Sequence, residues 1–257
     1  MANLQLQDLT KHYKQGKTVI RALDGVTLDI GDGEFVAVVG RSGSGKTTML
    51  DMLGLLLRPT AGRLLMDGTD TGKLGDRDLA RLRGTKVGFV FQEYNLLPSL
   101  NVLENVMLPL RYVSDGKDGR KRAEDLLERV GLSDRVRHRA TELSGGQQQR
   151  VAIARSMVNQ PTLILLDEPT GAVDTETAEQ LVALLKSLNE QDRVTIIVVT
   201  HDLDVAKEAK RQIRLKDGKV VADEAVVPAA PVAYERASGG RCMMSLTLRR
   251  CTCTLPH

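Results

Sequence analysis

The chain has 257 residues and a formal net charge of +3; 42% of its residues are hydrophobic and 3% are aromatic. This length supports one large domain or two small ones with a sizeable, mainly aliphatic core. Arg241, Arg249 and Arg250 account for the excess charge, because residues 237–257 contain no acid. The near-neutral remainder argues against bulk electrostatic binding to nucleic acid, so we expect no such partner.

The positions of the cysteines and the lengths of the apolar runs indicate the cellular compartment of the chain. Cys242, Cys251 and Cys253 all lie near the end of the sequence, so we expect no disulfide framework in the folded body and a reducing compartment. The first residues, MANLQLQDLTKHYKQG, lack the apolar stretch of a signal peptide. The apolar runs at 163–166 and 196–199 are far shorter than the about 20 residues of a spanning helix. We therefore predict that the chain does not cross a membrane by itself.

The first part of the chain predicts strands. Residues 4–38 contain short alternating segments separated by glycines, LQLQDL, VTLDI and EFVAVVG, which indicate strands in a partly antiparallel sheet edge. FVAVV is continuously apolar, as in a strand buried on both faces. It leads into GRSGSGKT and then TTMLDMLGLLL, which predicts a helix.

The remainder alternates between helical and strand patterns. RPTAGRLLMDGTDTG is interpreted as a polar connection and KVGFVF as a buried strand. Apolar residues recur at helical spacing from about 93 to 158, which predicts an inserted helical subdomain. The strand patterns TLILLDE and VTIIVVT flank the helical pattern AEQLVALLKSLNEQ, and this alternation predicts a parallel sheet covered on both faces. We predict one domain over 1–227 and a disordered tail over 228–257.

GRSGSGKT fits the pattern G-x-x-x-x-G-K-[ST] of a phosphate-binding loop. Glycines allow main-chain amides to point inward, and such amides attract phosphate oxygens at a helix N-terminus. Lys46 would meet the β- and γ-phosphates, and the Thr47 hydroxyl would bind Mg²⁺. The alternative is a glycine-rich loop that matches by chance, but the strand before it and the helix after it favour the motif. The predicted nucleotide-binding residues here are Gly40, Arg41, Ser42, Gly43, Ser44, Gly45, Lys46, Thr47 and Thr48.

Polar residues follow three of the predicted strands. ILLDEP places Asp167 and Glu168 at a strand end, where Asp167 can hold Mg²⁺ and Glu168 can polarise water for in-line attack. Gln92, after KVGFVF, can reach Mg²⁺ or that water, and His201, after VTIIVVT, can contact the γ-phosphate and orient the water. Taken singly, a strand that ends in Asp-Glu is more often a solvated strand end, and a lone histidine after a strand usually has no such role. Gln92 alone is equally consistent with a polar loop residue.

Together and in order, GRSGSGKT, Gln92, LSGGQ, ILLDE, GAVD and His201 resemble the ATP-binding subunit of an ATP-binding cassette (ABC) transporter. The resemblance covers residues 3–225. It implies an α/β fold with a P-loop NTPase core, a mainly parallel sheet, an N-terminal antiparallel β edge and an inserted helical subdomain. It also implies ATP hydrolysis with Mg²⁺ as a cofactor, bound by Thr47, Gln92 and Asp167. In this reading the catalytic residues are Glu168, His201 and Gln92.

The resemblance also explains LSGGQQQR, a second glycine-rich stretch that lacks a lysine. In the family, two chains pair head to tail, and LSGGQ binds the γ-phosphate of the ATP that the other copy holds. This implies nucleotide contacts from Ser144, Gly145, Gly146 and Gln147, although Ser144 could equally be an ordinary helix cap. Asp174 of GAVD would lie at the dimer interface. Tyr13 resembles the aromatic residue that stacks on adenine, and the alternative is a surface tyrosine.

Residues 93–110, EYNLLPSLNVLENVMLPL, resemble the lipoprotein-release and macrolide-export branch. The implied partners are integral membrane permease subunits, with the chain bound peripherally at the cytoplasmic face of the membrane. Three alternatives stay open: the ATPase of a cell-division type of membrane complex, an amino-acid-type importer, and a soluble DNA or ribosome ATPase. The compact insertion without sustained heptads weighs against the soluble machines.

Overall fold

The computed structural model describes residues 3–16, 18–113 and 118–226. The described residues fall in one compact unit that spans residues 1–227. The tail predicted at 228–257 lies outside the described residues.

The strands and helices of the described residues follow in chain order. The strands are Leu4–Gln15 (β1), Thr18–Ile30 (β2), Phe35–Val39 (β3), Ala61–Met66 (β4), Thr69–Asp70 (β5), Val87–Val90 (β6), Leu163–Asp167 (β7), Thr195–Thr200 (β8), Arg211–Lys216 (β9) and Lys219–Ala225 (β10). The helices are Lys46–Leu53 (α1), Asp76–Lys86 (α2), Val102–Met107 (α3), Gly119–Arg129 (α4), Gly145–Met157 (α5), Thr175–Asp192 (α6) and Leu203–Lys207 (α7).

A central sheet has the order β10-β9-β3-β8-β7-β6. Its strands are parallel except for β10, which pairs antiparallel with β9. Alternate residues of a strand face opposite sides of a sheet. Phe35 and Ala37 of β3 therefore belong to the core shared with α3–α7, whereas Val36 and Val38 belong to the core shared with α1. Burial on both faces explains why the strand appears as one apolar run.

The N-terminal strands are antiparallel, as the sequence predicts, but they form a sheet of their own. Its order is β2-β1-β4-β5. Leu4 and Leu6 of β1 pack into the α1 core, so this sheet covers one face of the central sheet. The antiparallel edge of the central sheet is instead β10 at the other end of the described chain.

Two local assignments differ from the sequence interpretation, and a third agrees with it. The stretch interpreted as a polar connection contains β4 and β5, and helix α2 follows it. Helix α1 ends at Leu53, because the chain turns at Gly54 and Leu55 adopts a positive φ of 58°. Helices α3, α4 and α5 lie between β6 and β7 in the chain, in the region where the sequence predicts a helical insertion.

Candidate active site

The phosphate loop connects β3 to α1, and two of its glycines allow no side chain. Gly45 has φ 102°, and a Cβ there would lie 2.2 Å from the main-chain oxygen of Ala22. A Cβ on Gly40 would lie 2.5 Å from the main-chain oxygen of Leu215. Contacts this short do not occur in folded proteins, so the loop can take this course only with glycine at these positions.

Lys46 is the first residue of α1, and its side chain turns back into the loop. Its Nζ donates hydrogen bonds to the main-chain oxygens of Gly40, at 2.8 Å, and Arg41, at 3.2 Å. The ammonium group is therefore held inside the loop, next to the amides at the start of the helix, where an anion is favoured.

Ser44 provides a test of whether the loop fits a phosphate. Ser44 is 5% exposed, and its Oγ is buried without a hydrogen-bond partner among the described residues. A buried hydroxyl without a partner is costly, and a ligand oxygen would satisfy it. The orphaned hydroxyl, the inward-turned ammonium and the glycine backbone together fit a phosphate group.

The polar residues that follow the central strands come together at one edge of the sheet. Asp167 is the last residue of β7, and Glu168 follows it with a positive φ of 45°. The main-chain N–H of Glu168 donates to Val199 of the neighbouring strand at 2.9 Å. This bond fixes the turn at Glu168, so that the two adjacent carboxylates point in different directions.

Glu168 and His201 form a pair across the ends of β7 and β8. Glu168 Oε2 lies 2.9 Å from His201 Nδ1 and accepts a hydrogen bond from the His201 main-chain N–H at 3.2 Å. The Glu168 side chain is 14% exposed, whereas that of His201 is 73% exposed. The largely buried Glu168 carboxylate is thus held in place by His201, and the exposed imidazole lines the cleft.

Asp167 is surrounded by groups whose charges matter to a cation. Burial raises the pKa of this carboxyl above its ordinary value, and the negative charges of Glu168 and Asp51 raise it further. The Lys46 ammonium and the Thr47 hydroxyl act in the opposite direction. Crowding of negative charge with too little compensation is the electrostatic environment that a bound cation relieves.

The oxygen donors near Asp167 fit Mg²⁺. Thr47 offers a hydroxyl, Gln92 an amide oxygen and Asp167 one carboxylate, and Mg²⁺ typically takes one or two carboxylates with water and phosphate oxygens. Within the described ranges, no group of three or more His, Cys, Asp or Glu side chains could hold a metal ion. The donor set therefore suits a metal that arrives with a nucleotide and is not suited to a structural zinc.

The predicted residues largely share one cleft of about 840 Å³. It is lined by Tyr13, Arg41, Ser42, Gly43, Gly45, Lys46, Thr47, Thr48, Gln92, Asp167, Glu168 and His201. Tyr13 is 38% exposed, and Lys11 Nζ lies 5.4 Å from the centre of its ring. Sequence reasoning missed Ile20, Arg21 and Ala22 of β2, which also line the cleft and carry no motif that could have revealed them.

The LSGGQ residues and Asp174 lie outside this cleft. Ser144 caps helix α5: its Oγ accepts from the Gln147 N–H, and Gln147 Oε1 accepts from the Ser144 N–H. Asp174 caps α6 by accepting from the Thr177 N–H and the Thr177 hydroxyl. Both hydrogen bonds lower the pKa of the Asp174 carboxyl, and the bond from the Thr177 N–H has the larger effect.

The two capped helix starts are neighbours. A Cβ on Gly146 would lie 2.4 Å from Cγ2 of Thr177, so the start of α5 packs directly against the first turn of α6. The starts of α5 and α6 therefore form one surface, and its residues do not line the cleft of the chain's own phosphate loop.

Comparison with known proteins establishes the family. The model of the ABC transporter family matches residues 23–171, more than half of the chain. An uncharacterized ABC transporter ATP-binding protein of Methanocaldococcus jannaschii, MJ0796, is 50% identical over 226 residues, which cover 86% of this chain and 96% of that protein. The chain belongs to the ABC transporter family and is an ATP-hydrolysing cassette of that family.

Two solved structures and a longer relative agree with this family assignment. The dimeric structure of MJ0796, a bacterial ABC transporter cassette, has a TM-score of 0.81 at 48% identity and covers 87% of this chain and 99% of that one. A dimeric post-hydrolysis state of the same cassette, bound to ADP and Pi, has a TM-score of 0.81 at 47% identity, with the same coverage. The macrolide export ATP-binding/permease protein MacB of Syntrophobacter fumaroxidans is 45% identical over 237 residues, which cover 91% of this chain and 33% of that protein.

These matches confirm the predicted family, α/β fold class and ATPase activity, and the resemblance to the macrolide-export branch. In the described part of the chain, no helix has the length and apolar character needed to cross a membrane.

Proposed function

We propose that two copies of this chain pair head to tail, so that the LSGGQ helix of each completes the ATP site of the other. The observation that carries this proposal is that the LSGGQ and GAVD helix starts of one chain lie apart from its own phosphate-loop cleft. The phosphate loop, Gln92, Asp167, Glu168 and His201 line one cleft. Ser144 and Asp174 cap helix starts outside it, and Gly145 and Gly146 are the first residues of helix α5. Dimeric structures of the related M. jannaschii cassette support the pairing.

Within each site the residues of the chain divide the work. The glycine-rich backbone, Lys46 and Ser44 bind the phosphates, and Tyr13 stacks on the adenine. Ser144, Gly145, Gly146 and Gln147 reach the γ-phosphate from the partner copy, and Asp174 lies at the interface. A serine hydroxyl, bare glycine backbone and a helix N-terminus suffice for this role, because a lysine is already supplied by the other chain.

Hydrolysis requires a base and a fixed water. Glu168 takes a proton from the attacking water, since it is the carboxylate that lies beside, rather than at, the cation position. His201 fixes Glu168 through its main-chain N–H and its ring, and Gln92 orients the water with its amide. Mg²⁺ held by Thr47, Gln92 and Asp167 would neutralise charge on the β- and γ-phosphates.

We further propose that closure of the dimer moves the helices between β6 and β7 and, through them, separate membrane permease subunits. The chain would then act peripherally at the cytoplasmic face of a membrane and drive export or mechanical work. The relative named a macrolide export ATP-binding/permease protein, of which the match covers 33%, supports this.

The first experiment measures the mass of the Glu168→Gln chain by light scattering, with and without Mg-ATP. We expect a monomer that becomes a dimer on addition of Mg-ATP, because the bound nucleotide is not consumed. A chain that stays monomeric although it binds ATP would contradict the shared site. Lys46→Ala is the matched control, which should remain monomeric under both conditions.

The second experiment tests the membrane partner. The tagged Glu168→Gln chain is recovered from detergent-solubilised membranes with ATP retained. Co-purification of a polytopic membrane protein with a large extracytoplasmic domain is the expected result. A multi-subunit importer or a cell-division complex would replace the export assignment. Recovery from the soluble fraction with DNA or ribosomes would overturn the transporter assignment altogether.

A further inference from the structure

Arg155 lies in the third turn of the LSGGQ helix α5, and its side chain is used by none of the steps above. The residue is 9% exposed. Its Nη1 donates to the main-chain oxygen of Asn95 at 2.5 Å, and its Nη2 donates to that of Tyr94 at 2.7 Å. A guanidinium fork thus holds two consecutive carbonyls of the segment that follows Gln92, with a geometry that lysine cannot reproduce.

The segment held in this way has an unfavourable backbone. Tyr94 and Asn95 both have positive φ angles, 55° and 48°. Two successive residues with side chains rarely adopt this region unless surrounding contacts hold them there. The bonds from Arg155 provide such contacts, so they determine the path of the chain directly after Gln92.

A second contact joins the same segment to the start of α5. A Cβ on Gly145 would lie 3.2 Å from the hydroxyl oxygen of Tyr94, and the Tyr94 ring packs against the helical core. The segment therefore touches α5 at the LSGGQ end and again at Arg155. Long side chains on a helix lean towards its N-terminus, which is how both contacts reach one segment.

The far end of the segment is also fastened to the helices. The buried Asn105 of α3 accepts from the Leu97 N–H at 2.8 Å and donates to the Leu97 oxygen at 3.1 Å. Gln92 itself is exposed at the end of β6. Only residues 91–93 thus lie between the strand end and the point at which the chain is clamped to helix α5.

From this geometry we propose that Arg155 is a positioning residue that couples Gln92 to the LSGGQ motif of the same chain. The two elements serve different ATP molecules, because Gln92 faces the chain's own phosphate loop and Ser144–Gly146 face that of the partner. Arg155 makes them move as one body, so a shift at one ATP is transmitted to the other. This inference rests on the shared site proposed above.

The test uses Arg155→Lys, which keeps the charge and loses the fork. The matched control is Asn159→Ala, two residues beyond the end of the same helix, which instead removes side-chain hydrogen bonds of 2.9 and 3.4 Å to the main-chain oxygens of Gly84 and Pro109. The phosphate loop is untouched in both, so ATP affinity of the isolated chain should be unchanged. We expect kcat to fall roughly ten-fold in Arg155→Lys, as misplacement by a fraction of an ångström produces, and to change less than two-fold in the control.

Mixed dimers separate the two ends of the coupling. With a large excess of the Glu168→Gln chain as mate, only the site at the phosphate loop of the test chain turns over. Arg155→Lys placed in the test chain loosens Gln92 at that site. Arg155→Lys placed in the Glu168→Gln mate loosens the LSGGQ motif that completes the same site. We expect a roughly ten-fold loss in both placements. A loss in one placement alone, or in neither, would overturn the coupling.

The two proposals fail in different ways. If Ser144→Arg in the Glu168→Gln mate leaves the activity of a wild-type test chain unchanged, the shared site itself is wrong, whatever Arg155 does. Should Arg155→Lys not fold, hydrogen exchange on the wild-type chain provides the same test. The coupling predicts that residues 94–97 and 145–156 gain protection together on addition of Mg-ATP, and protection of one segment without the other would contradict it.

Discussion

Glu168→Gln is expected to remove the base without removing the fold. In the structure Glu168 Oε2 accepts from the His201 main-chain N–H at 3.2 Å and lies 2.9 Å from His201 Nδ1. A glutamine has the same shape, and its amide oxygen can still accept from that N–H, so the turn after β7 should survive. The amide cannot take a proton from water. Loss of a positioned base typically costs about 10²–10⁴ in rate, or about 2.7–5.4 kcal/mol in the barrier.

The assay is steady-state phosphate release, accompanied by equilibrium binding of ATP. We expect turnover to fall by more than ~100-fold while ATP affinity is retained. The thermal midpoint should shift by less than about 4 °C, the shift expected from at most 1 kcal/mol in a chain of this size. Glu190→Gln on the exposed face of α6 serves as a control for loss of a carboxylate. Turnover close to that of the control would refute the assignment of Glu168.

Three further predictions concern the same cleft. Lys46→Ala should abolish tight ATP binding in calorimetric titration, because the loop loses the ammonium group that is held inside it, and an unchanged affinity would refute the phosphate-loop assignment. Asp167→Asn should stop Mg²⁺-dependent hydrolysis and yet raise the melting temperature of the nucleotide-free chain at neutral pH. Folding raises the pKa of Asp167, mainly through burial, so the ionised carboxylate destabilises the folded chain. This destabilisation is fully present at a pH above the pKa of Asp167 in the folded chain. It disappears as the pH falls below the pKa of Asp167 in the unfolded chain. The rise in melting temperature of Asp167→Asn over the wild type should therefore become smaller when melting is measured at increasingly acid pH. A rise that does not depend on pH would contradict this explanation. Tyr13→Ala should weaken ATP binding by about 1–3 kcal/mol, the range for base–aromatic stacking, while Tyr13→Phe should preserve it.

The fold could be predicted where local patterns and burial agree. β3, β7 and β8 are buried on both faces, so each appears in the sequence as an unbroken apolar run. The phosphate loop is recognisable because its glycines are required by backbone contacts that a Cβ would violate. The polar residues after β6, β7 and β8 come together because the carboxyl ends of neighbouring parallel strands share one edge.

Other features depend on contacts that a local pattern does not contain. In β4 the first three residues are exposed, and its pairing with the distant β1 determines that it is a strand at all. Helix α2 buries only Leu79, so its apolar periodicity is too weak to reveal it. Arg155 appears in the sequence as one more residue of an apolar helix, and only the structure shows the two carbonyls that it binds.

The most direct test of the shared site is complementation between two inactive chains. Ser144→Arg damages the surface offered to the partner, and Lys46→Ala damages the chain's own phosphate loop. Mixed together, they form dimers in which one of the two composite sites has both halves intact. Ser144→Ala controls for loss of the helix cap, which costs about 1 kcal/mol. The shared site predicts that each chain alone is inactive and that ATP hydrolysis returns on mixing. No recovery at any mixing ratio, with both chains folded, would contradict it.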